Sequence, residues 1–135
     1  MFFNLTQKRG YLIYNNLMEF RNLTISQIKK HFSEGGDIEE FYSAYIPWLK
    51  EKNKEVNGFL FFTEELADKT IKALKSKPKD LPLWGIPIAI KDNIVIQGEK
   101  CTAGSKILEN FIAPYSATVI KKLQNAGAVI VGKTN

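Results

Sequence analysis

Cysteine is almost missing from this chain. Cys101 is the only one in 135 residues, so no internal disulfide can form and a reducing compartment is the natural setting. Arginine is nearly as scarce. Arg9 and Arg21 are the only two, so the formal charge of +5, from 19 basic and 14 acidic residues, is carried by lysine. Lysine gives a diffuse positive field without the forked geometry that recognises phosphate or guanine. A nucleic-acid partner such as tRNA is therefore permitted but not required. His31 is the only histidine. No apolar run approaches the roughly 20 residues of a membrane helix. The N-terminus lacks the apolar core of a secretory signal and the serine and arginine of a mitochondrial presequence. A cytoplasmic location is the expectation. No internal repeat or low-complexity tract appears.

What the chain does have is apolar periodicity enough for one domain with a real core. Leu12, Tyr14, Leu17, Met18 and Phe20 are spaced as on a helix. Thr24 with Gln27 has the form of a capping box, and Gly35-Gly36 stops the helix that follows. Asp37 with Glu40 opens another, in which Phe41, Tyr45, Trp48 and Leu49 recur at helical spacing. Pro47 predicts a break or kink near Ile46. Asn57-Gly58 is a turn, and Phe59–Phe62 is a short strand or the entry to a helix. Thr63 reads as the cap of a helix carrying Leu66, Ile71 and Leu74.

The most informative stretch is Leu81-Pro-Leu-Trp-Gly-Ile-Pro-Ile-Ala-Ile-Lys-Asp-Asn93. Its centre, Ile86 to Ile90, is apolar at both alternating sets of positions, which predicts a strand buried on both faces. Pro87 within it favours a strand start or an edge. Lys91 follows with no polar run-up. An amine partly desolvated there can serve as a base near neutral pH, whereas a strand-end lysine that reaches water cannot. Beyond it, Ser105 is placed to cap a short helix through Asn110, and Pro114 and Ser116 introduce a clearer one. In that helix Val119, Ile120, Leu123 and Ala126 are expected to face inward. Gly127 closes it, and Ala128–Val131 is a second apolar strand. Strand, excursion, helix and strand make a right-handed crossover between parallel strands. Lys91 and Lys133 would then emerge together at the carboxyl edge, where open α/β sheets bind ligands. Spacing alone does not choose between them.

These residues resemble a known family. Pro82–Asn93, Thr102-Ala-Gly-Ser105, Ala117-Thr-Val119 and Ala126-Gly-Ala-Val-Ile-Val-Gly-Lys-Thr-Asn135 look like the first part of an amidase-signature enzyme. The run Ser105-Lys-Ile-Leu-Glu-Asn-Phe111 with Pro114-Tyr115 is more particularly similar to A subunits of glutamyl-tRNA(Gln) amidotransferases. The resemblance covers roughly Asn57 to Asn135. It departs at Ser116, where the family usually has aspartate.

The resemblance implies an α/β fold: N-terminal helices over residues 1–56, then over 57–135 the start of a mixed-sheet α/β/α sandwich, the sheet incomplete in this chain. It implies a catalytic trio of one lysine and two serines, with Lys91 as the lysine. A neutral lysine takes the proton of a bridging serine, which deprotonates the nucleophilic serine, and this attacks a carboxamide to give an acyl-enzyme and ammonia. Both family serines lie beyond the Gly-Lys-Thr-Asn motif, so the isolated chain is expected to be inactive. Ser105 matches a structural loop, Cys101 has no histidine partner in view, and Lys133 supports the site edge without a proton-transfer role. In the amidotransferase the amide donor is glutamine. The ammonia passes to a partner in a heterotrimeric complex, where Glu-tRNA(Gln) is amidated with ATP and magnesium; no cofactor or metal is expected in this chain. The alternatives are a fragment of a general amidase-signature amidohydrolase, a truncated non-catalytic product acting only as an interaction piece, and a small basic RNA-binding module.

Overall fold

Helix caps set the first boundaries. The computed structural model describes residues 23–135; the helical spacing noted between Leu12 and Phe20 lies outside them. Helix α1 (Ile25–Ser33) opens on a complete capping box, in which the Thr24 hydroxyl accepts from the Gln27 N–H and the Gln27 side chain accepts from the Thr24 N–H. Helix α2 (Ile38–Val56) opens on Asp37, whose carboxylate accepts from the Glu40 N–H at 2.8 Å. It runs through Pro47 without the expected break. An internal proline costs about 3 kcal/mol. The helix persists because its apolar face is anchored on both sides of that residue, by Phe41, Tyr42, Tyr45 and Ile46 before it and Leu49 after it.

Strand β1 (Phe59–Phe62), helix α3 (Glu64–Leu74), strand β2 (Pro87–Lys91), a 3-10 turn at Lys106–Leu108, helix α4 (Thr118–Asn125) and strand β3 (Val129–Thr134) complete the described chain. Among the described residues the sheet has the order β1-β3-β2, with β2 and β3 parallel and β1 antiparallel to β3. A helical crossover thus joins the parallel strands β2 and β3, and the architecture is mixed α/β.

Strand β3 is the centre of the sheet and is packed on both faces. Val129 and Val131 join a core with Phe32, Phe41, Ile71, Leu74 and Trp84, whereas Ile130 joins Ile90, Ile96 and Ile120. Phe32 meets Trp84 edge to face, with ring centroids 5.3 Å apart. Burying such residues contributes roughly 1.5–3 kcal/mol each, so β3 is the element the layers are built on.

Two irregularities re-aim the strand ends. Ile88 pairs with Ile130 but Ala89 pairs with Gly132, which leaves Val131 as an extra residue in β3. On the other side Phe59 pairs with Thr134 and Phe61 with Lys133, so β1 carries an extra residue at Leu60. Bulges of this kind rotate the side chains that follow them. The bulge also explains Thr63. Its hydroxyl does not cap α3, as the sequence predicts, but donates to the Ile130 carbonyl at 3.0 Å, while its N–H donates to Val131 O. Thr63 is buried, and the displaced carbonyls of β3 need those donors more than the exposed helix end does.

Three other expectations are corrected. Ile86–Ile90 is not buried throughout: Pro87 and Ile88 are half-buried and Ala89 is exposed, because β2 stands at the edge of the described sheet, although Ile90 is buried against Ile96 and Ile120. Ser105 starts only a 3-10 turn and makes no capping bond. Helix α4 begins at Thr118, since the Ser116 hydroxyl is used to accept from the Gln97 N–H at 2.9 Å, and Val119 faces solvent. Among the described residues no helix is long and apolar enough to cross a membrane.

Candidate active site at the carboxyl edge of the sheet

Strand pairing decides where the two lysines go. Lys91 is paired with Thr134, and Lys133 with Ile90. Paired residues of a sheet share a face and successive ones alternate, so the two lysines leave the same edge on opposite faces. Without the extra residue at Val131, simple alternation along β3 would have set Lys133 on the Val131 face, against Ile130.

Lys91 is exposed. It shares with Ala89 an uncovered part of the sheet face, and the backbone N–H of the next residue, Asp92, donates to Thr134 O at 2.7 Å. Of the two outcomes the sequence leaves open for a strand-end amine, the described chain shows the one that reaches water. The desolvation that a lysine base needs is not supplied by residues 23–135 as they stand.

The buried amine is Lys133, with no exposed surface. Its ammonium lies 3.0 Å from Oδ1 of Asp92 and donates to Ile94 O at 2.9 Å and Lys100 O at 3.3 Å. The Phe61 ring closes over it at 5.9 Å. The ammonium thus donates two hydrogen bonds and has a carboxylate oxygen beside it, the pairing by which a charged group is tolerated inside. Oδ1 of Asp92 lies at ion-pair distance from the ammonium but without hydrogen-bond alignment. Oδ2 accepts from both the N–H and the hydroxyl of Thr102. Burial pushes the Asp92 carboxyl up, but the Thr102 hydroxyl, the Lys133 ammonium and the Thr102 N–H outweigh it and hold the group below its ordinary value.

The same two residues organise the loop after β2. Asp92 O accepts from the Cys101 thiol at 2.9 Å and from the Ala103 N–H at 3.2 Å. The Thr102–Ser105 turn passes through positive φ at Ala103 (48°) and Gly104 (68°). A side chain added at Gly104 would come within 3.4 Å of the Asn135 amide oxygen. Lys91, the Thr102–Ser105 turn and Asn135 accordingly meet at one edge of the sheet. Cys101 is buried with its thiol donating to a carbonyl, a structural use, and His31 lies on α1 against Phe32 and Phe41. Sequence reasoning missed Asp92 and Thr102. Asp92 adjoins the candidate lysine, but only the fold reveals that its partner is 41 residues downstream (133 − 92). Among the described residues no cluster of His, Cys, Asp and Glu is arranged to hold a metal ion.

The model of the amidase family matches residues 40–135, a span that takes in most of α2, the described sheet and the edge just set out. The chain belongs to the amidase family. This amidase-family chain is 42% identical over 123 residues to the A subunit of the glutamyl-tRNA(Gln) amidotransferase of Borrelia garinii, covering 87% of the chain and 25% of that protein. It is 48% identical over 101 residues to the corresponding A subunit of Koribacter versatilis, covering 72% of the chain and 20% of the relative. The chain spans about a quarter of the length of the curated relatives it matches. Among solved structures, an amidase family protein from Bacillus anthracis matches with a TM-score of 0.80 and 26% identity, over 91% of this chain and 26% of that one. The A subunit of the glutamyl-tRNA(Gln) amidotransferase of Thermotoga maritima matches with a TM-score of 0.57 and 34% identity, over 86% and 23%.

Proposed function

We propose that this chain is the N-terminal part of the A subunit of a glutamyl-tRNA(Gln) amidotransferase, and that Lys91 is its catalytic base. The observation that carries the reading is the position of Lys91. It leaves the carboxyl end of β2 on an uncovered face, at the edge shared with the Thr102–Ser105 turn and Asn135. On this reading, polypeptide outside these residues covers that face, desolvates the amine and brings the bridging and nucleophilic serines to it. Lys91, neutral once covered, accepts the proton of the bridging serine as the nucleophile attacks the carboxamide of glutamine; ammonia leaves and the acyl-enzyme is hydrolysed. The ammonia then serves the partner subunits, which convert Glu-tRNA(Gln) to Gln-tRNA(Gln). ATP and magnesium belong to that partner machinery, and no step in this chain passes through them.

The test is a fusion in which this chain replaces the equivalent quarter of the Thermotoga maritima protein. Glutamine hydrolysis is expected in the fusion and not in the 135-residue chain alone. Lys91→Met should abolish it. Activity that survives Lys91→Met, or ammonia release by the isolated chain, would refute the assignment.

A second reading, a general amidase of the same family, is favoured by the higher TM-score to the Bacillus anthracis protein. The greater identity to the amidotransferase proteins favours the first. Rates on glutamine against simple aliphatic amides separate the two.

A further inference from the structure

The geometry points to the Asp92–Lys133 ion pair as a positioning device that fixes the strand-end Lys91 and the Thr102–Ser105 turn relative to each other. The inference rests on the reading of Lys91 as the base and adds two residues to it.

Stability alone is a poor reason for such a pair. Two charges taken wholly out of water are expensive to desolvate, and a well-packed apolar pair of similar volume is often as stable or more so. Lys133 and Asp92 are both essentially without exposed side-chain surface, 0% and 2%. What an apolar pair cannot do is hold several backbone groups at set distances. The Lys133 ammonium gathers Ile94 O and Lys100 O, two points in the first part of the excursion that follows β2. The Asp92 carboxylate holds Thr102 by both its N–H and its hydroxyl, and the Asp92 carbonyl holds Cys101 and Ala103. A single pair therefore ties the end of β2, the end of β3 and the first part of the intervening loop, from Ile94 to Ala103.

Lys91 lies inside this bracket. Its peptide neighbour Asp92 supplies the carboxylate, and the Asp92 N–H donates to the carbonyl of Thr134, which follows Lys133. The backbone of Lys91 is thus fixed from the side opposite to the one its amine faces. That leaves the amine free for substrate-bound chemistry while its Cα is immobile, the condition under which small errors of placement matter most for rate. Lys133 itself takes no part in proton transfer, because its ammonium is enclosed by fixed acceptors on every side.

The experiment compares Lys133→Met, Asp92→Asn and the double variant, both in the 135-residue chain and in the fusion described above. In the chain, amide hydrogen exchange over Ile94–Thr102 should quicken in Lys133→Met by about tenfold or more beyond the change at Val129–Val131, which follows the global stability. The double variant, free of any unpaired buried charge, should recover thermal stability but not loop protection. In the fusion, at a temperature where circular dichroism shows the folded state, the double variant should lose about tenfold or more in kcat with KM within about twofold of the parent. Wild-type loop protection in Lys133→Met, or a double variant with both stability and kcat restored, would overturn the proposal and leave the pair a plain stabilising contact. Undiminished activity in Lys91→Met is a separate result: it would sink the catalytic reading whatever the loop does.

Discussion

Lys133 is paired with Ile90, one residue before Lys91, and the two lysines occupy opposite faces of the same sheet edge. One is enclosed by a carboxylate and two carbonyls, the other stands in solvent. Their separation depends on the extra residue in β3.

A Cβ added at Gly132 would lie 2.7 Å from both the Phe61 carbonyl oxygen and Phe59 Cδ1. The carbonyl belongs to the strand backbone and cannot swing aside as a side chain can. Gly132→Ala should therefore destabilise the chain by about 1–3 kcal/mol, read as a lower urea midpoint. If the midpoint is unchanged, β1 does not approach β3 as closely as described.

Tyr42 joins α2 to the segment leading into β2, its hydroxyl donating to Gly85 O at 2.9 Å from a buried position. Tyr42→Phe should cost about 1–3 kcal/mol, because the carbonyl is left buried without that donor. Burial, and secondarily the neighbouring Tyr45, pushes the Tyr42 phenol well above its usual value of 10.0. The folded-state value is the higher one, so the proton is held more tightly in the native state. The stabilisation this represents is complete below pH 10.0 and declines as pH rises through the folded-state value. Alkaline titration at the phenolate absorbance should show Tyr42 ionising together with unfolding; a component at the ordinary value that is lost in Tyr42→Phe would contradict this.

Asp92 gives the opposite dependence. Its folded-state value lies below the usual 3.8, so its contribution is present above that value and is lost as pH falls through the lower one. Asp92→Asn should lower stability at neutral pH and flatten the acid limb of the stability profile below about pH 4. Urea denaturation at a series of pH values measures both, and parallel acid limbs in the two proteins would contradict the assignment.

Much of this fold can be read from the chain. Thr24, Asp37, Gly35 and Gly127 mark helix ends through backbone requirements that act within a few residues, and the apolar runs of β2 and β3 announce a buried sheet. The errors arise where a distant group competes for a local one. Thr63 and Ser116 have the chemistry of caps, but Ile130 O and the Gln97 N–H take their hydroxyls. Pro47 has the chemistry of a breaker, but packing on both sides of it carries α2 through. The candidate edge was legible in Lys91, which stands at the carboxyl end of β2 as its apolar run predicts. It was not legible in Lys133, because a bulge in β3 decides which face that residue takes, and no periodicity in Val129–Thr134 signals it.

The two lysines should therefore respond oppositely to removal. Lys91 is exposed and makes no ion pair among the described residues, so Lys91→Ala should change the stability of the chain by no more than about 0.5 kcal/mol. Lys133→Ala leaves the Asp92 carboxylate buried without its counter-charge and the carbonyls of Ile94 and Lys100 without a donor. Breaking one partner of such a pair costs about 3–5 kcal/mol, a large share of what a domain of this size has. Denaturant titrations of the two variants at neutral pH decide the matter. Equal losses would mean that Lys91 is held by the fold after all, and would count against the proposal that it is kept for chemistry.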